Sequence, residues 1–277
     1  MLRRPFVAAA AMALLVGLWP IAFIALASPA DAETLKVGGT GSVTELLRQL
    51  APGFKEDTGI SLDVIAGMGS SSAISAAADG KIGLAFSGRS LRDKETSKGL
   101  GVALTFRTPF GLVTSRPGPE DVKSKELAAL YRSDNPRWPD GTPILINLRP
   151  ADDSDSILLG QLFPGMAEAL DHLRNRKDLT VAPTDQDNAD LAEKVKGSLT
   201  SASLSQVITE KRDLRFVAID GVEASTANYL NGSYPYGRLI YVVAPTVADR
   251  TVNAFLAYLA KPAAAEILQR SGMIPVK

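Results

Sequence analysis

Lys36-Val-Gly-Gly-Thr-Gly-Ser-Val-Thr-Glu-Leu-Leu-Arg-Gln-Leu50 is the stretch from which the rest of the fold can be worked out. A short apolar strand at 35–37 enters a glycine turn at 38–42, and apolar residues then recur at helical spacing. Ser42 and Glu45 have the S-x-x-E spacing of a capping box, which predicts that a helix begins here. A strand, turn and helix of this kind form an anion site, because backbone N–H groups point outward and the helix dipole is positive at this end.

The same design recurs twice further along the chain. A predicted strand at 60–66 leads into Gly67-Met-Gly-Ser-Ser-Ser72 and a helix of small residues. A predicted strand at 144–149 leads into a polar turn at 150–156 and another helix, and Arg149 at the strand end is a candidate bidentate anion ligand. Serine and aspartate are also common N-caps, so each unit alone is equally typical of an ordinary capped helix. Three such units in one chain favour a shared anion site.

Two junctions rich in proline and glycine separate the other predicted strands. Residues 82–86 form a predicted buried strand with Ser87-Gly-Arg89 at its carboxyl end, where open α/β sheets bind ligands. The arginine of this turn is equally typical of a solvated surface residue. The apolar stretch 100–114 ends at Ser115-Arg-Pro-Gly-Pro119, and Tyr234-Pro-Tyr-Gly-Arg238 enters a second apolar strand. Strands alternating with helices predict an α/β fold.

The composition excludes several classes of site. The 277 residues carry 30 basic and 30 acidic side chains, so the overall charge favours neither nucleic acid nor an anionic membrane surface. The absence of cysteine excludes thiol catalysis, iron–sulfur clusters and disulfides. The one histidine, His172, lies in a charged helical stretch that is typical of a protein surface. We therefore expect no metal site, no cofactor and no nucleic-acid partner.

The N-terminus has the pattern of an export signal. Arg3 and Arg4 precede an uncharged stretch from residue 5 to residue 30, and Ala30-Asp-Ala32 has the A-x-A form of a cleavage site. Residues 1–32 are therefore predicted to be a secretory signal peptide, which places the mature protein in the periplasm or another extracytoplasmic compartment. The apolar run is also long enough to span a bilayer, so an uncleaved N-terminal anchor is the alternative.

Taken in order, these stretches resemble one known family. Residues 34–277 resemble the periplasmic phosphate-binding proteins of ABC importers, which have the type II periplasmic-binding-protein fold. The matching stretches are residues 38–42, 54–59, 67–72, 86–91, 138–144 with Arg149, 219–222, 234–241 and 268–275.

The resemblance implies two α/β lobes, each a mixed, mostly parallel sheet flanked by helices, with the ligand in the cleft between them. Lobe one would comprise residues 33–115 and 238–277 and lobe two residues 116–237, with crossovers near 115–117 and 235–238. We expect a monomer that captures an oxyanion without chemistry and delivers it to an ABC permease in the inner membrane. The implied ligand-binding residues are Thr40, Gly41, Ser42, Ser70, Ser71, Ser87, Gly88, Arg89, Arg149, Asp153, Ser154, Asp155 and Ser156.

Two departures from the family pattern leave the ligand open. Where phosphate binders carry an aspartate that accepts the proton of the ligand, this chain has Gly88. The family's arginine followed by G-S-G-T is here Arg149-Pro-Ala-Asp-Asp-Ser-Asp-Ser156, with acids where glycine is expected. Three interpretations follow: Asp153 or Asp155 accepts the ligand's proton from a different wall, the acids only cap the helix, or the ligand is not phosphate.

Two other classes of function remain as alternatives. A sensor or adhesion module on the same fold is favoured if the N-terminal segment stays as an anchor. A serine-dependent phosphatase or hydrolase would use one of the clustered serines. The second alternative is disfavoured because no G-x-S-x-G elbow is present and the one histidine, His172, lies in an unrelated helix.

Overall fold

A computed structural model describes residues 1–2, 33–118, 120–177 and 179–276. The predicted signal peptide or anchor at residues 1–32 lies, apart from Met1 and Leu2, outside the described residues. In the described part of the chain, no helix combines the length and the apolar character that crossing a membrane requires.

Twelve strands and eleven helices make up the described chain. The strands are β1 (Thr34–Gly39), β2 (Ser61–Ile65), β3 (Leu84–Ser87), β4 (Leu100–Thr114), β5 (Asp121–Val122), β6 (Leu145–Leu148), β7 (Thr180–Val181), β8 (Ser198–Ser203), β9 (Arg215–Phe216), β10 (Ala218–Ile219), β11 (Gly237–Pro245) and β12 (Ile274–Pro275). The helices are α1 (Thr44–Thr58), α2 (Gly69–Ala78), α3 (Asp93–Thr96), α4 (Leu127–Arg132), α5 (Ser154–Leu162), α6 (Met166–Arg174), α7 (Asp185–Lys194), α8 (Leu204–Thr209), α9 (Thr226–Leu230), α10 (Arg250–Leu259) and α11 (Pro262–Arg270).

One mixed sheet runs through the molecule in the order β2-β1-β3-β11-β4-β8-β6-β7, with β9 and β12 also paired to β4. On one side, β1 lies parallel to both β2 and β3. On the other side, β6 lies parallel to both β7 and β8. The antiparallel strands β11 and β4 join these two parallel sets. Because the carboxyl ends of β1, β3 and β6 carry the predicted ligand turns, this arrangement decides where the turns meet.

The buried apolar residues form two large clusters that meet along β4. In one cluster, beneath α1, α10 and α11, Phe54 and Phe255 meet edge to face with ring centroids 5.0 Å apart. The other cluster lies beneath α4, α5 and α6 and includes the fully buried Tyr131. Phe106 belongs to the first cluster and Phe110 to the second, so the core changes within a single continuous strand. Burial of each such side chain stabilises the fold by roughly 1.5–3 kcal/mol.

Most predicted elements are present, with shifts at their ends. The predicted strand at 100–114 is β4 residue for residue. The sequence pattern also predicts a helix at 121–132 and another at 188–196. The first prediction is wrong in its first half, where β5 pairs with β10 and a 3-10 turn precedes α4. The second helix begins at Asp185, because the Thr184 side chain accepts the Asp187 N–H and supplies the N-cap.

Candidate functional site

A small pocket lies where the three predicted strand–turn–helix units meet. Its volume is about 170 Å³. It is bounded by the turn after β1, the start of α2, the turn after β3 and the segments that precede α5 and α7. The lining residues are Gly41, Gly67, Met68, Gly69, Ser70, Ser71, Ser72, Arg89, Arg149, Pro150, Asp152, Asp153, Ser154, Pro183, Thr184 and Asp185.

The turn after β1 does not form the predicted capping box. A 3-10 turn at Gly41–Val43 precedes α1, and the N-cap residue Val43 makes no side-chain cap. The buried hydroxyl of Ser42 instead accepts a hydrogen bond from Arg238 Nη1 at 3.3 Å and lies 3.3 Å from the Thr40 hydroxyl. Ser42 therefore faces the interior of the site and does not cap the helix.

The second unit brings its serines to the pocket. Helix α2 starts at Gly69, earlier than the predicted start at Ala73, so all three serines lie in its first turn. Gly67 and Gly69 have φ of 72° and 70°, a region that glycine adopts without strain. The Ser70 hydroxyl is buried and accepts the N–H of Gly88 at 2.9 Å. Four N–H groups at any helix start lack helical partners, and the residues of the first turn of α2 line this pocket.

The turn after β3 uses most of its polar groups internally. The fully buried Ser87 hydroxyl donates to the Arg89 carbonyl at 2.7 Å and accepts the Arg89 N–H at 3.1 Å. The Arg89 guanidinium donates two hydrogen bonds to Glu95, at 2.7 and 2.9 Å, and also reaches the Ser71 hydroxyl. These hydrogen bonds lower the pKa of Glu95 to about 2, so Glu95 is ionised at neutral pH. Its negative charge balances the positive charge of Arg89 at the pocket edge.

The third unit places Arg149 in the pocket wall. Its side chain is 5% exposed, and Nη1 donates to the Ala182 carbonyl at 2.6 Å. Nη2 donates to Asp153 Oδ2 at 3.0 Å and lies 3.8 Å from Asp185 Oδ2. Nε has no hydrogen-bond partner among the described residues. Asp153 also accepts the Asp155 N–H as the N-cap of α5, so it both caps the helix and pairs with Arg149.

Ser156 lies behind this wall and does not line the pocket. Its hydroxyl donates to the Arg149 carbonyl at 3.0 Å and accepts from Arg174 Nη2 at 2.9 Å. These contacts fix the backbone from which Arg149 projects. Ser156 therefore supports the backbone of Arg149 from behind the pocket wall.

Sequence reasoning missed Arg238, which is 1% exposed at the start of β11. Its Nη1 lies 2.6 Å from Asp155 Oδ1, and its Nη2 donates to the Ser154 hydroxyl at 3.0 Å. A Cβ atom on Gly88 would overlap Arg238 Nη2, so glycine there makes room for the guanidinium. The only signal in the sequence is an arginine at the entry of an otherwise apolar strand.

Asp155 is a buried acid with an altered pKa. Burial raises its pKa to about 7, against the attraction of Arg238, and the nearby Asp185 and Asp153 raise it further. The 2.6 Å ion pair lacks hydrogen-bond alignment: Asp155 Oδ1 and Arg238 Nε both lack a hydrogen-bond partner within the described chain. Arg238 and Asp155 are therefore in close contact without forming a hydrogen bond with each other, and each keeps one polar atom without a hydrogen-bond partner in the described chain.

Asp185 and Gln186, at the start of α7, were also missed. Asp185 is buried, and its carboxylate accepts the N–H of Gly41. Burial raises the pKa of Asp185, opposed by Arg149. Gln186 Nε2 donates to the Gly41 carbonyl at 2.9 Å. The turn that the sequence identifies as the first anion site is thus contacted by an acid from another helix, and only the Thr184 capping box could have drawn attention to this segment.

A larger groove of about 1260 Å³ adjoins the pocket and shares Gly67 and Thr184 with it. It is open to solvent, and its Arg212 is paired with Glu210 at 2.6 Å. The smaller pocket, which brings together Arg149 and the serines of α2, is the better candidate for a small ligand. In the described ranges, no group of three or more acidic or histidine side chains is arranged to hold a metal ion.

Comparisons with known proteins bear on the fold of this chain. A family model described as a PBP superfamily domain matches residues 25–263. A comparison with curated protein sequences finds no match.

Several solved structures share the fold. A protein of Clostridium perfringens assigned as a phosphate ABC transporter substrate-binding protein, solved with bound phosphate, covers 88% of this chain and 100% of its own, with TM-score 0.76 and 20% identity. An ABC-type phosphate transport receptor of Vibrio cholerae has the same coverage, with TM-score 0.61 and 16% identity. The periplasmic molybdate-binding protein of Azotobacter vinelandii again has the same coverage, with TM-score 0.57 and 16% identity. The α/β, two-lobed fold predicted from the sequence is confirmed.

Proposed function

The chain belongs to the PBP superfamily, and from this membership we propose that it captures phosphate or a similar tetrahedral oxyanion for an ABC importer. The protein would bind its ligand in the pocket, as a monomer, and release it to a permease in the inner membrane. The solved neighbours include proteins described as binding phosphate, molybdate and tungstate, which supports an oxyanion as the class of ligand.

One observation carries the proposal: the buried Arg149 lines the same pocket as the serine-rich first turn of α2. Its buried Nε has no hydrogen-bond partner among the described residues, so the protein leaves one donor of this guanidinium unused. A guanidinium and a helix N-terminus both favour negative charge, and here they face one small space. Micromolar affinity corresponds to about 8 kcal/mol, and charge-assisted hydrogen bonds at about 1.5–3 kcal/mol each supply that from a few contacts.

We further propose that the pocket lies in a cleft between lobe one, residues 33–115 and 238–277, and lobe two, residues 116–237. The two apolar clusters support this division, since each has its own aromatic core. The pocket takes Ser70 from the first part and Arg149 from the second. Hinges near 115–117 and 235–238 would let the two walls part and close on the ligand.

The site would bind its ligand without chemistry, outside the cytoplasmic membrane. The one histidine, His172, lies on the exposed surface of α6 and lines none of the pocket. The serines would therefore act as hydrogen-bond donors. Export rests on the sequence pattern of residues 1–32, and a sensor or adhesion role stays the alternative if that segment is retained.

A thermal-shift screen with phosphate, phosphite, arsenate, sulfate and molybdate tests the proposal. A ligand at 100 times its dissociation constant stabilises the native state by about 2.7 kcal/mol, which a melting curve detects. Calorimetry then gives the affinity of each hit. Stabilisation by at least one tetrahedral oxyanion, saturable and with unit stoichiometry, is the expected result. No stabilisation by any of the five would overturn the proposal.

A further inference from the structure

The walls of the pocket carry more acidic than basic side chains. Two guanidiniums, Arg89 and Arg149, face three carboxylates, Asp152, Asp153 and Asp185. A pocket built for a free dianion is expected to present an excess of cations or neutral donors. The charges present here would repel the second negative charge of such a ligand.

The two guanidiniums are also already paired within the protein. Arg89 forms a bidentate pair with Glu95, and Arg149 contacts both Asp153 and Asp185. Behind the pocket, the buried Arg238 is paired with Asp155. An incoming dianion would therefore find no guanidinium whose charge is unbalanced.

One of the three anion sites predicted from the sequence is occupied by the protein's own acid. The carboxylate of Asp185 accepts the Gly41 N–H in the turn after β1. A Cβ atom on Gly41 would lie 2.5 Å from Asp185 Oδ2, so the close approach depends on glycine. An acidic side chain is thus fixed at the β1 side of the pocket, while the first turn of α2 and Arg149 remain to receive an anion.

The size of the pocket narrows the ligand further. Its volume of about 170 Å³ lies below the roughly 300–1,000 Å³ that is typical of sites for drug-sized ligands. This favours a compact ligand. A short substituent on the oxyanion fits this space.

We propose, as a refinement that rests on the proposed function, that the ligand is a small zwitterion in which a tetrahedral oxyanion head carries a short amine. The head would contact the first turn of α2 and Arg149, and the ammonium would lie against Asp185 and Asp152. In this arrangement the anionic head lies against α2 and Arg149, and the ammonium lies against carboxylates. The carboxylates that disfavour free phosphate would then select the amine.

A matched pair of phosphonates tests the proposal. The protein is expressed from its full sequence and purified in the form that the cell produces. In 2-aminoethylphosphonate an ammonium group stands where propylphosphonate has a methyl group, so the two differ in charge and hardly in shape. Calorimetry at neutral pH is expected to give at least about tenfold tighter binding of the amine, because propylphosphonate would place a methyl group where Asp185 and Asp152 offer carboxylates.

Two variants identify the residues that select the amine. In Asp185→Asn the preference is expected to fall to about twofold or less while inorganic phosphate binds more tightly, because a fixed negative charge has been removed. Asp152→Asn, at an exposed position in the same wall, is expected to reduce the preference by a smaller factor and covers the case in which Asp185→Asn does not fold. Asp134→Asn makes the same change at an exposed position outside the pocket and is expected to leave the preference unchanged.

The outcomes separate this inference from the proposed function. Equal affinities for the two phosphonates, or tighter binding of propylphosphonate, would overturn the inference, and tight binding of phosphate in the same experiment would leave the proposed function standing. Binding of neither phosphonate and of no inorganic oxyanion would overturn both. A preference for the amine that persists in both Asp185→Asn and Asp152→Asn would overturn the assignment of the selecting wall.

Discussion

Arg149 and Arg238 are two buried guanidiniums in the same site, and they differ in what surrounds them. Arg149 lines the pocket, pairs with a partly exposed acid and keeps Nε without a partner in the described chain. Arg238 is 1% exposed, lines none of the pocket and pairs with the equally buried Asp155. Its guanidinium also lies over the Phe110 ring, 5.8 Å from the centroid.

Burial and charge alone therefore do not identify a ligand-binding arginine. Both guanidiniums keep Nε without a partner in the described chain, and what distinguishes Arg149 is that it lines a cavity. Arg238 links β11 to α5 through Asp155 and Ser154, so its contacts join segments far apart in the sequence. We therefore expect changes at Arg238 to alter stability and changes at Arg149 to alter binding.

The largest effect is expected from Arg238→Met. The change leaves Asp155 buried without its cation, and removing one partner of a buried pair typically costs about 3–5 kcal/mol of stability. Urea denaturation at neutral pH measures the loss. The double variant Arg238→Met, Asp155→Leu removes both charges and is expected to recover most of it. If the single variant unfolds at the same urea concentration as the wild type, the pair contributes nothing to holding β11 on α5.

The next largest effect is expected from Arg149→Ala, in binding. Loss of the guanidinium should weaken binding of the oxyanion found in the screen by about 2–5 kcal/mol, since the anion would remain desolvated and partly unpaired. Arg149→Lys should recover only part, because an ammonium does not form two parallel hydrogen bonds. Calorimetry measures both variants.

Arg137→Ala is the matched control for this prediction. Arg137 is an exposed arginine that donates to the Gly141 carbonyl and lines none of the pocket. Its removal should leave the affinity unchanged. If Arg149→Ala folds and binds the anion as tightly as the control does, Arg149 is not a ligand residue, and Arg89 at the pocket edge is the next candidate.

A smaller effect is expected from Gly88→Ala. The new methyl group would overlap Arg238 Nη2 and approach Ser154 Oγ to 2.8 Å, and overpacking of this kind costs about 1–3 kcal/mol. Gly101→Ala in β4 is the control, because its Cβ would meet only Thr246 at an ordinary 3.7 Å. Thermal denaturation compares the two. A stable Gly88→Ala protein would mean that Arg238 moves aside without loss.

The smallest effect, read over the single pH unit from about 5.5 to 6.5, is a pH dependence from Asp155. Its pKa is about 7 in the folded protein against 3.8 ordinarily, so the native state holds a proton that the unfolded state releases. The free energy of unfolding should therefore fall as pH rises from about 4 to about 7, by up to about 1.4 kcal/mol per pH unit, and level off above about pH 7. Asp185 shifts in the same direction, so the slope is read as wild type minus Asp155→Asn.

Glu95 does not interfere with this measurement. The folded pKa of Glu95 is about 2, depressed from 4.5. Its contribution to folding stability is therefore fully present above about pH 4.5 and is lost as pH falls from there through about 2. Between about pH 5.5 and 6.5 both states of Glu95 are ionised. Identical slopes for the wild type and Asp155→Asn would show that Asp155 is ionised in the native protein throughout.

Local patterns were sufficient to predict most of the fold and one part of the site. The strand β4, the three strand–turn–helix units and the pocket position of Arg149 follow from hydrophobic periodicity, glycine placement and strand-end chemistry, which act over a few residues. The site roles of these residues stay a prediction. The surface position of His172 was predictable in the same way.

The features that failed or were missed depend on contacts between distant segments. The capping box at Ser42 and Glu45 has the correct spacing, but Arg238 takes the serine hydroxyl. Asp185 reaches Gly41 across more than a hundred residues of sequence, and no local pattern indicates that contact. Side chains that meet only after the sheet has formed are outside what a sequence window can predict.

The close approach of Gly88 and Arg238 constrains the order in which this site can change over evolutionary time. An aspartate at position 88, as phosphate binders carry, cannot be introduced while Arg238 fills that space. Loss of Arg238 first would leave Asp155 unpaired, unless Asp155 had already been replaced. The effects of substitutions at Gly88, Arg238 and Asp155 therefore depend strongly on one another, and the order in which they occur matters. If Asp152 and Asp185 select the ligand as proposed, their replacement is not subject to this constraint, because neither residue pairs with Arg238.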